Sequence, residues 1–301
     1  MKTAYLFTGQ GFQYEGMLKE LPGEYIKDTM IDTASNILKE DVLKLDSKEA
    51  LNNNRCVQLC IYISEVILGS LQVERLIPDY VAGHSIGAFS AATISGALDF
   101  TDGLQLVSIR GSEMEASYPC GYGMMSVTGL TFELLEQLIT EFRDEPIIQN
   151  FTNEKKSQVY IANINTKEQL VLSGLLDTLK EVESYLKRKY KVITQMLRVK
   201  VPSHCELMLP VSNILDEKMK TIHLKQPKIP YIMNTTARRT RRAEMIEKDL
   251  IYGVSKPVYW YDSLSILYEL GTRDFLEISQ SSVLTEVGKK CYQNAKWRRF
   301  V

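Results

Sequence analysis

Four consecutive apolar positions, Ala4-Tyr5-Leu6-Phe7, stop at Thr8-Gly9-Gln10-Gly11. A short unbroken apolar run closed by a glycine turn is how a strand buried on both faces reads, so residues 4–7 predict a core strand. After the polar break Asn52-Asn53-Asn54, the residues Val57, Cys60, Ile61, Ser64, Ile67 and Leu68 recur at helical spacing. That periodicity predicts a helix packed on the same core. Tyr80-Val81-Ala82 predicts a second strand, Gly83-His84-Ser85-Ile86-Gly87 a tight turn, and residues 88–95 a helix of small side chains.

From about residue 125 the texture changes. Met125-Ser126-Val127 predicts a strand and residues 132–142 an amphipathic helix. Residues 159–162 and 169–174 read as two further strands, residues 176–189 as a charged amphipathic helix, and residues 191–199 as a segment ending in another strand. Strand-helix-strand-strand-helix-strand is the ferredoxin-like order. The expected fold class is therefore α/β: a larger domain from residues 1–124 and 200–301, with a ferredoxin-like subdomain at 125–199 inserted into it. Residues 227–233 and 274–278 are expected to add strands to the larger sheet.

Composition narrows the function classes. The 301 residues are 45% hydrophobic and 24% charged, and 36 basic against 37 acidic residues leave a formal charge of −1. Such a chain has no global basic field for nucleic acid and no polybasic membrane anchor. The apolar run at residues 4–7 is too short for a secretion signal, and no stretch is read as approaching a ~20-residue membrane span. Five scattered cysteines, at 56, 60, 120, 205 and 291, form no metal-binding spacing. An odd, dispersed set points to reduced thiols in a cytoplasmic protein.

Gly83-His84-Ser85-Ile86-Gly87 is a G-x-S-x-G sequence between a predicted strand and a predicted helix. At such an elbow the central side chain is exposed, and flanking glycines permit the close backbone approach. The helix N-terminus offers unpaired N–H groups to a developing oxyanion. The alternative is a chance match in a loop. A serine hydroxyl needs a base. Of three histidines, His84 adjoins the serine and should point away, and His223 lies at a helix end or surface loop. His204, in Val201-Pro202-Ser203-His204-Cys205, follows a predicted strand and is favoured by elimination. Arg110 lies on an apolar helix, where a guanidinium is either structurally paired or binds an anion. Sequence spacing leaves both open.

Taken together, these motifs resemble the malonyl-CoA:acyl-carrier-protein transacylase family over nearly the whole chain. The resemblance is carried by Phe7-Thr8-Gly9-Gln10-Gly11, the serine pentapeptide, Arg110-Gly111, Asn163-Ile164-Asn165 with Gln169, and Val201-Pro202-Ser203-His204-Cys205. It implies an α/β-hydrolase-like domain with a ferredoxin-like insertion. It implies Ser85 as nucleophile, His204 as base, the backbone N–H groups of Gln10 and Ile86 as oxyanion hole, and Arg110 as partner of the malonyl carboxylate. Asn163, Gln169 and Asn234 are expected at the substrate site. Malonyl-CoA and an acyl carrier protein are the implied partners, with no cofactor and no metal, because a thioester is already activated.

Departures are visible. The family's usual proline is Thr8, its usual serine is Phe12, and a glutamine of the usual site falls at Gly253. Asn234 is a candidate for ordering the site instead. Some local phrases look closer to the transacylase subunit of malonate decarboxylase, and discrete polyketide acyltransferases are also similar. Two other readings use the same serine and histidine or neither: a serine hydrolase, and a non-catalytic carrier-binding module. The cluster Arg238-Arg239-Thr240-Arg241-Arg242 reads as a solvated turn or as a docking patch for an acidic carrier.

Overall fold

The computed structural model describes residues 1–143 and 158–300. Its larger sheet has six strands: β1 (Lys2–Phe7), β2 (Tyr80–Gly83), β7 (Tyr231–Ile232), β8 (Arg239–Thr240), β9 (Thr272–Glu277) and β10 (Lys296–Arg299), in the order β10-β9-β1-β2-β7-β8. All neighbours run parallel except β7 and β8. The central strands β1 and β2 are buried almost throughout, as their continuous apolar sequences require. Their register pairs Phe7 with Gly83. The two strands therefore end at one level, and the turns that follow them meet at the carboxyl edge of the sheet, where open α/β sheets place ligands.

Helices α1 (Glu24–Leu38), α2 (Asn54–Arg75), α3 (Gly87–Ile94), α4 (Phe100–Ser117), α7 (Leu209–Met219), α8 (Ala243–Tyr252), α9 (Trp260–Glu269) and α10 (Val283–Cys291) surround this sheet. The Asn53 side chain caps α2 by accepting from the Cys56 amide. By length and composition α2 is long and apolar enough to cross a membrane, contrary to the sequence reading. Every residue from 57 to 69 is buried, so α2 is the central core helix.

The smaller sheet has the order β4-β5-β3-β6, entirely antiparallel, from β3 (Tyr122–Thr128), β4 (Val159–Ile164), β5 (Gln169–Leu175) and β6 (Ile193–Met196). Helices α5 (Phe132–Arg143) and α6 (Leu176–Lys189) complete the ferredoxin-like order. Their apolar faces, with Leu135, Ile139, Leu179 and Leu186, form a core separate from that of the larger sheet. The chain before α9 joins the two layers: the Val258 amide donates to Ala162 O and the Ile164 amide to Val258 O.

Three strand expectations change, the first at β8, which falls within the 238–242 cluster that read as a turn or docking patch. Residues 227–233 yield only the two-residue β7, because Pro227 and Pro230 cannot donate to a ladder, although Pro230 O accepts from the Val81 amide at 3.0 Å. β10 was not expected, since Lys296-Trp297-Arg298-Arg299 is mostly charged. It is an edge strand, where charge is normal, and Trp297 stacks on Phe275 with centroids 4.2 Å apart.

Candidate active site

Ser85 occupies a left-handed backbone position, φ 58°. The glycines two residues to either side make that possible. A Cβ on Gly83 would lie 2.1 Å from Gly87 O, and one on Gly87 would lie 2.4 Å from Phe7 O. The chain therefore passes from β2 through the elbow into α3 only with glycine at both places. Strain in a non-glycine residue marks a position that its surroundings over-determine. His204 is another such case, φ 63°, pinned by its amide to Val254 O at 2.7 Å.

These two residues meet. Ser85 Oγ is 2.7 Å from His204 Nε2, and His204 Nδ1 is 2.7 Å from Gly253 O. A carbonyl can only accept, so Nδ1 carries the proton and Nε2 is free to accept from the serine hydroxyl. Burial, then the nearby Arg110 charge and His84, pull the His204 pKa down to about 3. The imidazole is thus neutral and available as a base at ordinary pH. The missing glutamine side chain at position 253 does not unmake this arrangement. The group that orients His204 is the backbone carbonyl at the end of α8, which glycine supplies as well as glutamine.

Beside the elbow runs the turn after β1. The Gln10 side chain donates to Asn54 Oδ1 at 2.9 Å, fixing this turn to the start of α2. Among the described residues neither the Gln10 nor the Ile86 amide donates to a protein acceptor. Neither amide is thus committed to the protein's own hydrogen bonds.

Arg110, on α4, is 2% exposed. Its Nη1 donates to Gln58 Oε1 at 2.5 Å, and its Nη2 lies 3.5 Å from Ser85 Oγ. Among the described residues no carboxylate lies within ion-pair distance of it. Burial alone lowers its pKa to about 10, which leaves it charged. A buried guanidinium with only a neutral partner is costly, and the fork beside the serine fits a carboxylate brought by a ligand.

A cavity of about 290 Å³ opens over Ser85 and His204, walled by the turn after β1, by Met124, Leu197 and Val199 of the small unit, and by Val283 and Val287 of α10. Asn163 and Gln169 line it, and Asn163 Oδ1 and Gln169 Oε1 are buried without a protein partner among the described residues. His84 also lines the cavity, with Nε2 3.2 Å from both Asn163 Nδ2 and Asn165 Oδ1 and its ring edge-on to Trp260. Burial lowers its pKa to about 4. Its ring is held by these groups and makes no hydrogen bond to Ser85 among the described residues.

Asn234 lies behind the elbow. It does not line the cavity; its Oδ1 accepts from the Ser85 amide at 3.4 Å, and its own amide donates to the buried Asp249 at 2.8 Å. It supports the elbow from outside the cavity. Cys205 is buried, with its thiol pushed up to about 11 by burial, while His223 is exposed after α7. The arginines of the 238–242 cluster are exposed and line no part of this cavity. Sequence reasoning missed Gln58, whereas Asn165 stood in the Asn163-Ile164-Asn165 motif. Gln58 was detectable as a polar residue between the core positions Val57 and Leu59.

Comparisons with known proteins agree with this geometry. The family model described as acyl transferase domain matches residues 4–299. The chain is 30% identical to malonyl CoA-acyl carrier protein transacylase of Bacillus subtilis (strain 168), covering 98% of this chain and 92% of the relative. It is also 30% identical to that organism's polyketide biosynthesis malonyl CoA-acyl carrier protein transacylase PksC, covering 93% and 94%. Among solved structures, MCAT from Streptococcus pneumoniae superposes with a TM-score of 0.87 at 32% identity, over 99% of this chain and 95% of that one. A type II polyketide malonyl-transacylase in complex with its acyl-carrier protein gives 0.87 at 28% identity, over 99% and 94%. With its elbow serine, neutral histidine and buried arginine on a fold matched from end to end, the chain belongs to the acyl transferase domain family, among the malonyl-CoA:acyl-carrier-protein transacylases.

Proposed function

We propose that the protein transfers a malonyl group from malonyl-CoA to the phosphopantetheine thiol of an acyl carrier protein, through a malonyl ester on Ser85. His204 Nε2 takes the hydroxyl proton as Ser85 Oγ attacks the thioester carbonyl. The resulting oxyanion is received by the Gln10 and Ile86 amides. Losing one such donor costs typically ~2.7–4 kcal/mol of transition-state stabilisation. The C–S bond then breaks, and the proton on His204 passes to the departing CoA thiolate. The carrier thiol enters the same cavity, gives its proton to His204, and attacks the ester, regenerating Ser85. Two displacements through one covalent intermediate give ping-pong kinetics. No step is routed through a metal or cofactor.

One observation carries the choice of substrate: the buried Arg110 fork beside Ser85, without an acidic partner among the described residues. A hydrolase for neutral acyl groups has no use for it. Asn163 and Gln169, which line the cavity, are assigned to contacts with the pantetheine arm. The five thiols are free, and we place the enzyme in the reducing cytoplasm. Residues 125–199 are taken as the inserted subdomain that forms one wall of the cavity. Malonyl-CoA incubated with and without a holo carrier protein tests the proposal. Malonyl-carrier should accumulate only with the carrier present; rapid release of free malonate whether or not carrier is added would make the enzyme a hydrolase.

A further inference from the structure

The mechanism leaves one buried acid unused. Glu65 lies in the middle of α2 with no exposed surface, and its Oε1 accepts two hydrogen bonds from a single residue: the Thr8 amide at 2.5 Å and the Thr8 hydroxyl at 2.7 Å. Thr8 is the first residue after β1 and stands two before Gln10. Only a residue with both an N–H and a hydroxyl can make this pair of bonds; a proline there has neither. The preceding residue on the helix, Ser64, donates to Gln280. At the start of the same helix, Asn54 accepts from the Gln10 side chain. One rigid helix therefore grips the turn at both ends, at Thr8 and at Gln10.

We infer that Glu65 is a positioning residue of the oxyanion hole: by holding Thr8 it fixes the turn that aims the Gln10 amide at the reacting carbonyl. The inference rests on the assignment of that amide under the proposed function. Its physical logic is that a hole works only when its donors are placed before the reaction begins, and a displacement of ~1 Å far from the chemistry can cost ~100-fold in rate. The groups around Glu65 fit a neutral acid. Glu277 lies near it, Ser90 of α3 stands beside it, and burial pushes its pKa up to about 8, so it keeps its proton at neutral pH. Ser90 is close enough to favour the charged form somewhat, yet neither Glu65 Oε2 nor Ser90 Oγ forms a hydrogen bond of good geometry. With Oε1 as a carbonyl acceptor, Glu65 itself adds no negative charge behind the site where negative charge must develop.

A neutral isostere should then do the same work. The test is Ser85 acylation by p-nitrophenyl acetate, an ester that needs the hole but neither Arg110 nor a carrier, read as burst rate and burst amplitude and repeated with malonyl-CoA. Glu65→Leu is expected to slow the burst by about 10- to 100-fold at full amplitude and nearly unchanged KM. Glu65→Gln should stay within about threefold of the wild type. Thr8→Val, which keeps the amide and loses the hydroxyl, should fall between them and serves if Glu65→Leu does not fold. A merely structural role would lower the amplitude and leave the rate; that result, a Glu65→Gln as slow as Glu65→Leu, or a Thr8→Val at the wild-type rate would overturn the inference. Wild-type enzyme that reacts with the ester but not with malonyl-CoA would instead count against the proposed substrate alone.

Discussion

Replacing Arg110 with methionine should separate two effects that are usually confounded. The guanidinium is 2% exposed, its one strong bond is to the neutral Gln58, and no carboxylate pairs with it among the described residues. In the free enzyme it is a desolvated charge, and the proposed function gives it the substrate carboxylate as partner. Methionine matches its unbranched stem and removes that burden, so the melting temperature should hold or rise rather than fall. The malonyl reaction should suffer, because a charge-assisted bond to the carboxylate contributes about 1.5–3 kcal/mol, or about 10- to 150-fold. Acetyl-CoA, with no carboxylate, should lose little. The assay is kcat/KM for transfer from each thioester, with thermal unfolding of the same preparations. Arg110→Lys keeps the charge without the fork and should recover only part of the malonyl preference. A malonyl-to-acetyl ratio unchanged in Arg110→Met would refute the role assigned to this residue, and a marked loss of stability would refute the claim that its charge is unpaired.

Other outcomes follow from the same structure. With the His204 pKa near 3, the acid limb of kcat/KM for a neutral ester should lie well below pH 5, since the base acts when unprotonated; removing the Arg110 charge should move that limb upward, and a limb that stays at pH 6–7 in the wild type would contradict the environment described. Gly87→Ala drives a methyl into Phe7 O at 2.4 Å, and should abolish Ser85 acylation or folding, as circular dichroism and labelling would show; an active variant would mean that the elbow is not so tight. Glu65 has a folded-state pKa of about 8 against an ordinary 4.5, so its contribution to stability is complete below pH 4.5 and is lost as pH rises through 8, at up to about 1.4 kcal/mol per pH unit. Unfolding curves of wild type and Glu65→Gln should therefore converge or cross as pH is raised, whereas parallel curves would mean that Glu65 is already ionised.

The parts of this account legible in the sequence are those where local chemistry and backbone geometry coincide. Gly83 and Gly87 are required by contacts under 2.5 Å, so the elbow was readable from its spacing. The strands β1 and β2 show as apolar runs because both faces are buried. Arg110 was ambiguous, since its meaning depends on which acids come near it in space. Gly253 looked like a loss because side chains are what a sequence displays, whereas the working group is a backbone carbonyl. Asn234 was read both as a substrate contact and as a group that orders the site, and the direction of its side chain, with Oδ1 toward the Ser85 amide, favours the second. Glu65 was invisible in an apolar helix until Thr8 was seen against it.

The most direct test of the central claim is intact-mass analysis of the enzyme after brief exposure to malonyl-CoA, followed by addition of a holo carrier protein. The account predicts one malonyl group per chain, located on Ser85, absent in Ser85→Ala, and removed to the carrier thiol on its addition. A wild-type chain that never acquires the group, or a Ser85→Ala chain that still does, would contradict it.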